Sequence, residues 1–346
     1  MGLTTLCYLE QDGKYLMLHR VKKKVDVNKD KWIGVGGHFE EGESPEECLL
    51  REVKEETGLT ITSWKFRGLV TFLSDQWEPE YMCLYTADGF EGEMIPCNEG
   101  TLEWIDKEKV LELNLWEGDR IFFYLMNTGR PFFSLKLQYC GNTLTSAVLD
   151  GKELELFDVL TEDGKPTGLV RERTLVHRYG DPHATAHVWV VRRNEKGEAE
   201  LLLQKRSADK DSFPGCYDIS AAGHVQAGDS CLNTAVRELQ EELGIAADSG
   251  KLRFVGIHTG KIETEFYGQP FRNFEISNVY LYEEPVAEEA LTLQEAEVES
   301  VRFMSIAQIR KGMADGTIQN CLFEDEINLL ENCLAEQKDK NPAKSS

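Results

Sequence analysis

Three glutamates stand close together in the sequence, and their spacing is typical of a metal site. Glu52, Glu55 and Glu56 lie three and four residues apart, so on a helix they share one arc of about 100°. Each like-charge pair costs roughly a few tenths of a kcal/mol on an exposed helix. Mg²⁺ or Mn²⁺ would offset this repulsion, because both ions prefer oxygen ligands and bridge to the phosphate oxygens of a substrate.

The same arc returns in the second half of the chain. Glu238, Glu241 and Glu242 repeat the spacing, and each arc follows a Gly-His pair at a fixed distance, with Gly37 and Gly223 lying 186 positions apart. A single E-x-x-E-E helix is usually a solvated face. Its repetition behind the same Gly-His pair favours a functional site in each half, and the long period predicts two copies of one domain.

A helix must position the first arc, and the sequence marks both of its ends. Residues 44–47, Ser-Pro-Glu-Glu, form a capping box with proline at the first helical position, and Gly58 is a natural stop. Leu49 and Val53 occupy an arc next to the glutamates, where they can pack against a sheet. We therefore expect a glycine loop followed by a helix that buries one face.

Both halves follow the same coarse order of elements. A strand pair comes before the glycine loop and its helix, further strands follow, and a terminal helix closes each half at Lys107–Met126 and Ile306–Cys333. Hairpins end the first half at 133–148 and open the second at 157–171. This order predicts the α/β (α+β) class, with a mixed sheet between helices in each half. The expected domains are 1–149 and 152–338.

Composition narrows the class of partner. The chain has 346 residues, 41% hydrophobic and 29% charged, with 38 Lys and Arg against 61 Asp and Glu and a net charge of −23. This length suits two cores. The negative charge repels a nucleic-acid polymer and an anionic membrane surface, so we expect neither as a partner. A small phosphorylated substrate needs local neutralisation, which carboxylate-bound Mg²⁺ provides.

Cysteine usage and the first residues indicate a cytoplasmic protein. The nine cysteines are scattered and never spaced C-x-x-C, which predicts neither a disulfide framework nor a thiolate zinc site. The N-terminal segment lacks the basic region and long apolar run of a signal peptide. No stretch approaches the roughly 18 apolar residues of a membrane span.

The segment from Gly37 to Leu59 resembles a complete Nudix box, G-x5-E-x7-R-E-U-x-E-E-x-G-U, where U is a bulky aliphatic residue. The resemblance implies an α/β/α sandwich in each half and hydrolysis of a nucleoside diphosphate linked to another group. It implies that Arg51 pairs with Glu43 and locks the loop against the helix. The metal ligands implied for the first half are the Gly37 carbonyl and the carboxylates of Glu52, Glu55 and Glu56.

The second box departs from this pattern at one position. Asp229 replaces the first glutamate and is one methylene shorter, so we expect a weaker pairing with Arg237. Glu297 is the expected carboxylate outside this box. The metal ligands implied for the second half are Gly223, Glu238, Glu241 and Glu242.

The first half is similar to the MutT-type branch, in particular to bacterial 8-oxo-dGTP diphosphatases. The likeness rests on residues 31–37, 97–104, 116–119 and 130–133. It implies that Glu99 is the carboxylate outside the box, either as a further ligand or as the general base that aligns the water. The alternative is a solvated glutamate in a loop.

Substrate contacts in the first half are hypotheses from side-chain chemistry. Trp116 offers a π-face to a purine and Asp119 a hydrogen bond to its edge, while the alternative for Trp116 is a core aromatic. Arg20 either meets the triphosphate or is an exposed arginine at a strand end. Ile33 stands where some purine-sanitising relatives carry an amide, which leaves the base specificity open.

The second half, over residues 153 to about 310, also resembles the isopentenyl-diphosphate isomerase branch of the superfamily. Isomerisation needs a thiol to trade a proton with carbon, and Ala222 stands at that position. Asn273 replaces one of two expected glutamates. The histidines alternatively satisfy only local hydrogen bonds. The positions that match the isomerase metal ligands are His177, His183, His224 and Glu275.

The leading hypothesis is a tandem Nudix hydrolase that depends on Mg²⁺, with Mn²⁺ as the other candidate ion. Domain one would convert 8-oxo-dGTP, or a related damaged nucleoside triphosphate, to monophosphate and pyrophosphate. Domain two would hydrolyse a different diphosphate. The alternatives for domain two are an isomerase, against which Ala222 argues, and a non-catalytic ligand-binding or dimerising module. The sequence leaves open the second substrate and whether the chain forms a homodimer.

Overall fold

The computed structural model describes residues 2–22, 26–210, 213–266 and 269–340. The chain divides into two compact units. Unit 1 comprises Met1–Leu156 and Leu169–Leu175, and unit 2 comprises Phe157–Gly168 and Val176–Ser346. The chain therefore enters unit 2 after residue 156 and returns to unit 1 for one short segment.

Unit 1 is built on a mixed nine-stranded sheet. Its helices are α1 (Pro45–Thr57) and α2 (Glu117–Asn127). Its strands are β1 (Gly2–Gln11), β2 (Lys14–His19), β3 (Trp32–Ile33), β4 (Thr60–Ser74), β5 (Glu80–Glu91), β6 (Thr101–Asp106), β7 (Phe133–Cys140), β8 (Thr143–Leu149) and β9 (Lys152–Glu153). They lie in the order β3-β2-β1-β5-β4-β7-β8-β9, with β6 paired to β2. The β1–β5 and β4–β7 pairs are parallel.

Helix α1 begins and ends where the sequence predicts. The Ser44 side chain accepts the Glu47 N–H at 3.2 Å, and the Glu47 carboxylate accepts the Ser44 N–H at 2.8 Å, which completes the capping box. Gly58 ends the helix with φ 79°, a left-handed conformation that favours glycine. Leu49 and Val53 are fully buried against the sheet. The helix is thereby fixed at both ends and along its apolar face.

Helix α2 covers the opposite face of the same sheet. Phe122 and Phe123 pack their rings on Tyr8, at centroid distances of 5.9 and 4.7 Å. The predicted helix over Lys107–Met126 is wrong in its first part, because a short 3-10 turn occupies Val110–Glu112. Unit 1 nevertheless has a helix on each side of its sheet.

Unit 2 holds the second mixed sheet. After β9 the chain forms β10 (Leu156–Leu160), β11 (Pro166–Glu172) and α3 (Arg173–Tyr179), in which Leu156 and Leu169–Leu175 belong to unit 1 and the other residues to unit 2. The strands of the seven-stranded sheet are β12 (Pro182–Arg193), β13 (Ala199–Arg206), β14 (Tyr217–Asp218), β15 (Ala221–His224), β16 (Leu252–Phe266), β17 (Gln269–Tyr282) and β18 (Val298–Ser305). The helices are α4 (Cys231–Leu243), α5 (Ile306–Asp315) and α6 (Glu324–Lys340). The order is β14-β13-β12-β17-β16, with β15 on β12 and β18 on β13.

Helices cover both faces of this sheet as well. Leu239 of α4 packs in one apolar cluster, and Ile309 of α5 and Leu330 of α6 pack in another. The predicted single helix over Ile306–Cys333 is wrong, since Gly316 ends α5 with φ 71°. The chain then runs beside Tyr217, whose N–H donates to the carbonyl of residue 319 at 2.7 Å, before α6 begins.

The predicted fold class is confirmed in both units. Each unit is a mixed sheet between helices, as in an α/β/α sandwich. The predicted closing hairpin is the β7–β8 pair, and the predicted opening hairpin is the β10–β11 pair. Among the described residues, no helix has both the length and the apolar character needed to cross a membrane.

Candidate active sites

Gly37 and Glu52 bring the glycine loop of unit 1 against helix α1. A Cβ atom on Gly37 would lie 2.5 Å from the Glu52 carboxylate, so a larger residue does not fit here. The Gly37 carbonyl accepts the Thr5 N–H at 2.9 Å and the Cys48 thiol at 3.7 Å. The Glu52 carboxylate, a donor that hard divalent ions prefer, is thus held against the backbone of the glycine loop.

The three glutamates of the first arc differ in their exposure. Glu56 is buried and accepts the Gly36 N–H at 2.8 Å. The Glu52 side chain is 15% exposed, whereas that of Glu55 is 62% exposed. Glu52 and Glu56 therefore form an inner pair that faces the glycine loop, and Glu55 lies on the solvent side.

Arg51 locks the loop to the helix in the way that the resemblance implied. Its Nε and Nη2 donate to the two carboxylate oxygens of Glu43 at 2.7 and 2.9 Å, and Nη2 also donates to the His38 carbonyl at 3.0 Å. Hydrogen bonds from Arg51 lower the pKa of Glu43 to about 2. Nη1 donates to Glu52 at 2.6 Å, so the same guanidinium also orients an inner carboxylate.

Arg20 joins the outside carboxylate of unit 1 to the box. Its side chain is only 10% exposed, so the alternative of an exposed arginine at a strand end is wrong. Its Nη1 contacts the Glu99 carboxylate and lies 4.0 Å from Glu56, while Nε donates to Asp26 at 2.8 Å. Glu99 is thereby held beside the inner pair. Binding of a triphosphate by Arg20 stays a prediction.

Trp116 lies in the core next to the start of helix α2. It is 5% exposed, and its ring packs edge-on against Phe72 and Tyr139, at centroid distances of 5.8 and 4.9 Å. The indole N–H donates to the Asn28 side chain at 2.9 Å. The proposed stacking of Trp116 on a purine stays a prediction.

Asp119 is a buried carboxyl one helical turn further along. Burial raises its pKa to about 8, against the opposing effect of the cations Lys31 and Arg120. At pH 7 the group is therefore mostly protonated and offers a hydrogen-bond donor as well as an acceptor. Its contact with a base edge stays a prediction.

Unit 2 repeats the contact between glycine and glutamate. A Cβ atom on Gly223 would lie 2.1 Å from the Glu238 carboxylate. Arg237 pairs with Glu238 at 2.9 Å and with Glu241 at 3.2 Å, both on its own helix. The arginine of this box therefore braces the carboxylates of the arc.

Asp229, which replaces the first glutamate of the second box, serves the start of helix α4. Its Oδ1 accepts the Ser230 N–H at 2.7 Å and the Asn233 side-chain amide at 3.0 Å. The ion pairs of Arg237 in the described part of the chain are those to Glu238 and Glu241. This difference agrees with the weaker pairing expected for the shorter side chain.

Glu242 is the buried inner carboxylate of the second arc. It accepts the Ala222 N–H and the Gln204 amide, both at 3.2 Å. Burial, and then the nearby Glu238, raise the pKa of Glu242 to about 8. The side chain of Glu241 is 51% exposed, so Glu238 and Glu242 form the inner pair, as Glu52 and Glu56 do in unit 1.

Glu297, the predicted outside carboxylate of unit 2, carries an ion pair with Lys210. The side chains are 34% and 24% exposed, respectively. The Glu297 carbonyl accepts the Ser207 N–H at 2.8 Å, which ties this loop to the end of strand β13. Both units therefore place a cation on the outside carboxylate.

Three histidines of unit 2 meet at one point. His177, His183 and His224 each offer a ring nitrogen, and these atoms lie within 4.8 Å of one another. The ring of Phe157 stacks on His224 at 4.7 Å, and Glu275 lies 3.6 Å from the Nε2 of His224. Residues that are far apart in sequence thus form one potential nitrogen-rich metal site, with a carboxylate beside it.

The NUDIX domain family matches this chain twice, over residues 2–126 and 183–320. The chain belongs to the Nudix family. Nudix hydrolase 3 of Arabidopsis thaliana is 42% identical over 158 residues, which are 45% of this chain and 20% of that protein. This chain therefore spans about one fifth of the length of the Arabidopsis relative.

For two further relatives, the segment that matches this chain covers most of the relative's own length. An oxidized purine nucleoside triphosphate hydrolase of Danio rerio is 32% identical over 131 residues, which are 38% of this chain and 82% of that protein. A MutT protein of Bacillus halodurans, known from its crystal structure, is 28% identical and matches 44% of this chain and 99% of its own, with a TM-score of 0.40. The double match of the family model confirms the predicted family, while the two subtypes stay predictions.

Nudix hydrolases generally use divalent metals, and the donors in both units fit such an ion. Each unit offers two inner carboxylates behind a glycine that has no room for a side chain. The carboxylates fitted for a hard ion are Glu52 and Glu56 in unit 1, and Glu238 and Glu242 in unit 2. A more exposed glutamate lies on the same helix in each unit, and in unit 1 the outside carboxylate Glu99 contacts Arg20, which lies 4.0 Å from Glu56.

Three groups that contact carboxylates or Arg20 at the Nudix sites were not predicted from the sequence. Asp26, Gln204 and Lys210 received no role, although each contacts a predicted site residue or its partner. Their positions in the sequence could have identified them, because each lies on the strand that precedes a glycine loop or in the segment between that strand and the glycine loop. A buried pair between His187 and Glu326, at 3.1 Å, had no local signal, because its partners are 139 residues apart.

Proposed function

We propose that unit 1 is a Mg²⁺-dependent pyrophosphohydrolase acting on 8-oxo-dGTP or a related damaged nucleoside triphosphate. The observation that carries this proposal is the inner pair Glu52 and Glu56, held against the glycine loop with Glu99 beside it. The oxidized purine nucleoside triphosphate hydrolase among the relatives supports the substrate class.

The side chains of unit 1 divide the work of hydrolysis among them. A carboxylate of the site accepts the proton of the attacking water, whose oxygen bonds to phosphorus as the bridging P–O bond to pyrophosphate breaks. Glu99 serves either as this base or as a further ligand of the ion. Arg51 and the Gly36 N–H keep the inner carboxylates in place, so that little reorganisation is needed. Mg²⁺, when bound, supplies the positive charge that draws the phosphate oxygens and stabilises the leaving group.

Base recognition is assigned to the buried end of the same unit. Asp119, protonated at neutral pH, donates one hydrogen bond to the purine edge and accepts another. Trp116 borders the base, and Ile33 contributes apolar contact without a hydrogen bond. An oxidised purine that carries an added hydrogen-bond donor and acceptor then makes contacts with unit 1 that the base of dGTP does not make.

The test is turnover of 8-oxo-dGTP and dGTP by the full chain with Mg²⁺, with products identified by mass. We expect monophosphate and pyrophosphate, a higher kcat/KM for 8-oxo-dGTP, and complete loss of activity in excess EDTA. The matched control is Glu52→Gln with Glu56→Gln, which separates the chain's activity from a contaminating phosphatase. Full turnover in EDTA, or by this control variant, contradicts the proposal.

For unit 2 we propose hydrolysis of a different diphosphate, at Glu238, Glu241 and Glu242 with Glu297 outside the box. Its support is the repeated glycine contact of Glu238. The substrate class is a nucleoside diphosphate linked to a second group. A panel of nucleotide sugars, dinucleoside polyphosphates and free diphosphates, tested on the full chain carrying the unit 1 control substitutions, identifies it.

A second candidate for unit 2 is an isopentenyl-diphosphate isomerase. The cluster of His177, His183 and His224 favours it, because imidazole nitrogens suit a borderline metal such as Zn²⁺. Ala222 argues against it, since no thiol stands at that position to exchange the proton. Incubation with isopentenyl diphosphate decides between the two candidates: formation of dimethylallyl diphosphate supports the isomerase, and its absence supports hydrolysis.

A further inference from the structure

Arg20 is a buried cation whose backbone is fixed on both sides. It follows strand β2 directly, its N–H donates to the Lys31 carbonyl at 2.9 Å, and its own carbonyl accepts the Asp30 N–H at 2.8 Å. The Arg20 side chain is 10% exposed. Its place beside the Nudix box is therefore set by the fold and does not depend on a substrate.

Three carboxylates surround this one guanidinium. Asp26 accepts from Nε at 2.8 Å, Glu99 contacts Nη1, and Glu56 lies 4.0 Å from Nη1. The one guanidinium thus contacts two carboxylates and lies 4.0 Å from a third. Glu56 belongs to the inner pair and Glu99 is the outside carboxylate, so the guanidinium stands where these two would otherwise meet a shared ion.

A divalent ion that used both carboxylates would lie within a few ångströms of the guanidinium and be repelled by it. We propose that Arg20 competes with the divalent cation of unit 1: it clasps Glu99 beside Glu56 in the metal-free protein, and ion binding opens this clasp. The released guanidinium then pairs with a phosphate of the substrate. Ion and nucleotide therefore favour each other's binding, because each removes one partner from the closed clasp.

Unit 2 shows the arrangement again with different residues. Lys210 contacts the outside carboxylate Glu297, while the neutral amide of Gln204 contacts the inner carboxylate Glu242. A cation on the outside carboxylate is therefore present in both units. In unit 1 the same cation also lies close to the inner pair, which makes Arg20 the stronger competitor.

The inference rests on the proposed metal site of unit 1, and its test reads ion binding without turnover. Free Mn²⁺ is followed by electron paramagnetic resonance during titration of the full chain, which carries Glu238→Gln and Glu242→Gln to remove the inner pair of unit 2. Arg20→Gln should bind Mn²⁺ on the order of tenfold more tightly than the parent, because a like charge a few ångströms away has been removed. Arg20→Lys, which keeps the charge, should bind it nearly as the parent does.

Two further arms separate competition from a purely structural or phosphate-binding role. The gain in Mn²⁺ affinity from Arg20→Gln should vanish when Glu99→Gln is also present, because Arg20 then no longer occupies a carboxylate that could bind the ion. A non-hydrolysable α,β-imido analogue of dGTP should tighten Mn²⁺ binding in the parent more than in Arg20→Gln. An Arg20→Gln chain with unchanged circular dichroism and equal or weaker Mn²⁺ affinity overturns the inference.

A measurement on the unmutated chain covers the case in which Arg20→Gln does not fold. Hydrogen exchange at the Arg20 guanidinium, followed by ¹⁵N-arginine spectra, should become faster when Mg²⁺ is added, because the clasp to Glu99 opens. Unchanged exchange at saturating Mg²⁺ overturns the inference. If the parent binds no Mn²⁺ at all, the proposed function itself fails; if it binds Mn²⁺ and Arg20→Gln binds it equally, only the competition by Arg20 fails.

Discussion

The two Nudix boxes share their backbone frame and differ in how their charges are paired. Gly37 and Gly223 approach the first glutamate of their arcs in the same way. In unit 1 the box arginine reaches across to the loop, where it holds Glu43 through two hydrogen bonds. In unit 2 the box arginine stays on its own helix. This difference accompanies the replacement of a glutamate by the shorter Asp229. A motif whose sequence is almost fully preserved therefore need not preserve its ion pairs.

The inner carboxylates also differ in their neighbours. Glu56 lies 4.0 Å from the cation Arg20, whereas Glu242 contacts the neutral amide of Gln204 and has a pKa raised to about 8. The spacing of the glutamates is thus the same in both units. The residues on the preceding strand and in the loop after it determine which charged or neutral groups surround the inner carboxylate.

The largest effect is expected within each arc. Glu56→Gln should lower the kcat/KM of unit 1 on its best nucleotide by on the order of 10³, because it removes an inner carboxylate worth several kcal/mol of metal-based stabilisation. Glu55→Gln should cost on the order of tenfold, since its side chain is 62% exposed. Glu242→Gln and Glu241→Gln should show the same order in unit 2. Steady-state kinetics measure all four, and a greater loss with Glu55→Gln would refute the assignment of the inner pair.

A second difference appears in the dependence of stability on pH. The folded-state pKa of Asp119 is about 8, above its ordinary value of 3.8. The stability it contributes is full below pH 3.8 and is lost as pH rises through about 8, at about 1.4 kcal/mol per pH unit in between. Asp119→Asn should remove this slope from unit 1. Peptide-resolved hydrogen exchange from pH 5 to 9 measures it, and an unchanged slope in Asp119→Asn contradicts the shift.

Unit 2 offers a matched comparison in a different pH window. Burial alone would lower the pKa of His187, but the adjacent Glu326 carboxylate raises it to about 9 from 6.5. The stability from this pair is full only between about pH 4.5 and 6.5, the ordinary pKa values of Glu326 and His187. It is lost as pH falls well below 4.5, because the pKa of Glu326 is lowered, and on the alkaline side it is lost between pH 6.5 and about 9. The difference between the parent and His187→Gln with Glu326→Gln should therefore change between these values, and a flat difference would show that the buried pair is not charged.

The loop lock should matter in unit 1 and much less in unit 2. Arg51→Lys keeps the charge but loses the bidentate contact with Glu43, so the kcat/KM of unit 1 should fall on the order of tenfold. Arg237→Lys should lower the kcat/KM of unit 2 by less, because Arg237 makes only monodentate contacts with carboxylates of its own helix. Equal losses in the two units would mean that the loop contact has no special weight.

The helix caps give the smallest expected difference. Ser44→Ala removes the serine half of a reciprocal capping box and should cost α1 about 1 kcal/mol of local stability. Ser230→Ala removes a single acceptor for the Asn233 N–H and should cost α4 somewhat less. Exchange protection in the first turn of each helix measures both. A larger loss in α4 would show that the second half of the capping box is not formed in solution.

Much of this fold was readable from the sequence, because local signals and hydrophobic patterning agree. The Ser44 cap, the Gly58 stop and the buried face at Leu49 and Val53 each have a local cause, and all three were predicted. The terminal helices were predicted too long. There a 3-10 turn at 110–112 and the left-handed Gly316 interrupt segments that have helical composition.

The candidate sites were predictable as sets of glutamates but not as charge networks. Spacing identified Glu52 and Glu56, yet nothing local shows that Glu55 faces solvent or that Arg20 lies among three carboxylates. Those features depend on how the strand and loop register against α1, which is a tertiary property. The histidine cluster was suggested only by resemblance, since its members come from three separate elements.

We propose that one chain carries two separate divalent-ion sites, each built on a pair of glutamates that lies against a glycine loop. Mn²⁺ titration of the full chain tests it most directly, with Glu52→Gln plus Glu56→Gln, with Glu238→Gln plus Glu242→Gln, and with all four substitutions. Each double variant should lose its own class of sites and keep the other, relative to the baseline of the quadruple variant. If either double variant abolishes all binding while remaining folded, or if the quadruple variant binds Mn²⁺ as the parent does, the account of two independent sites is contradicted.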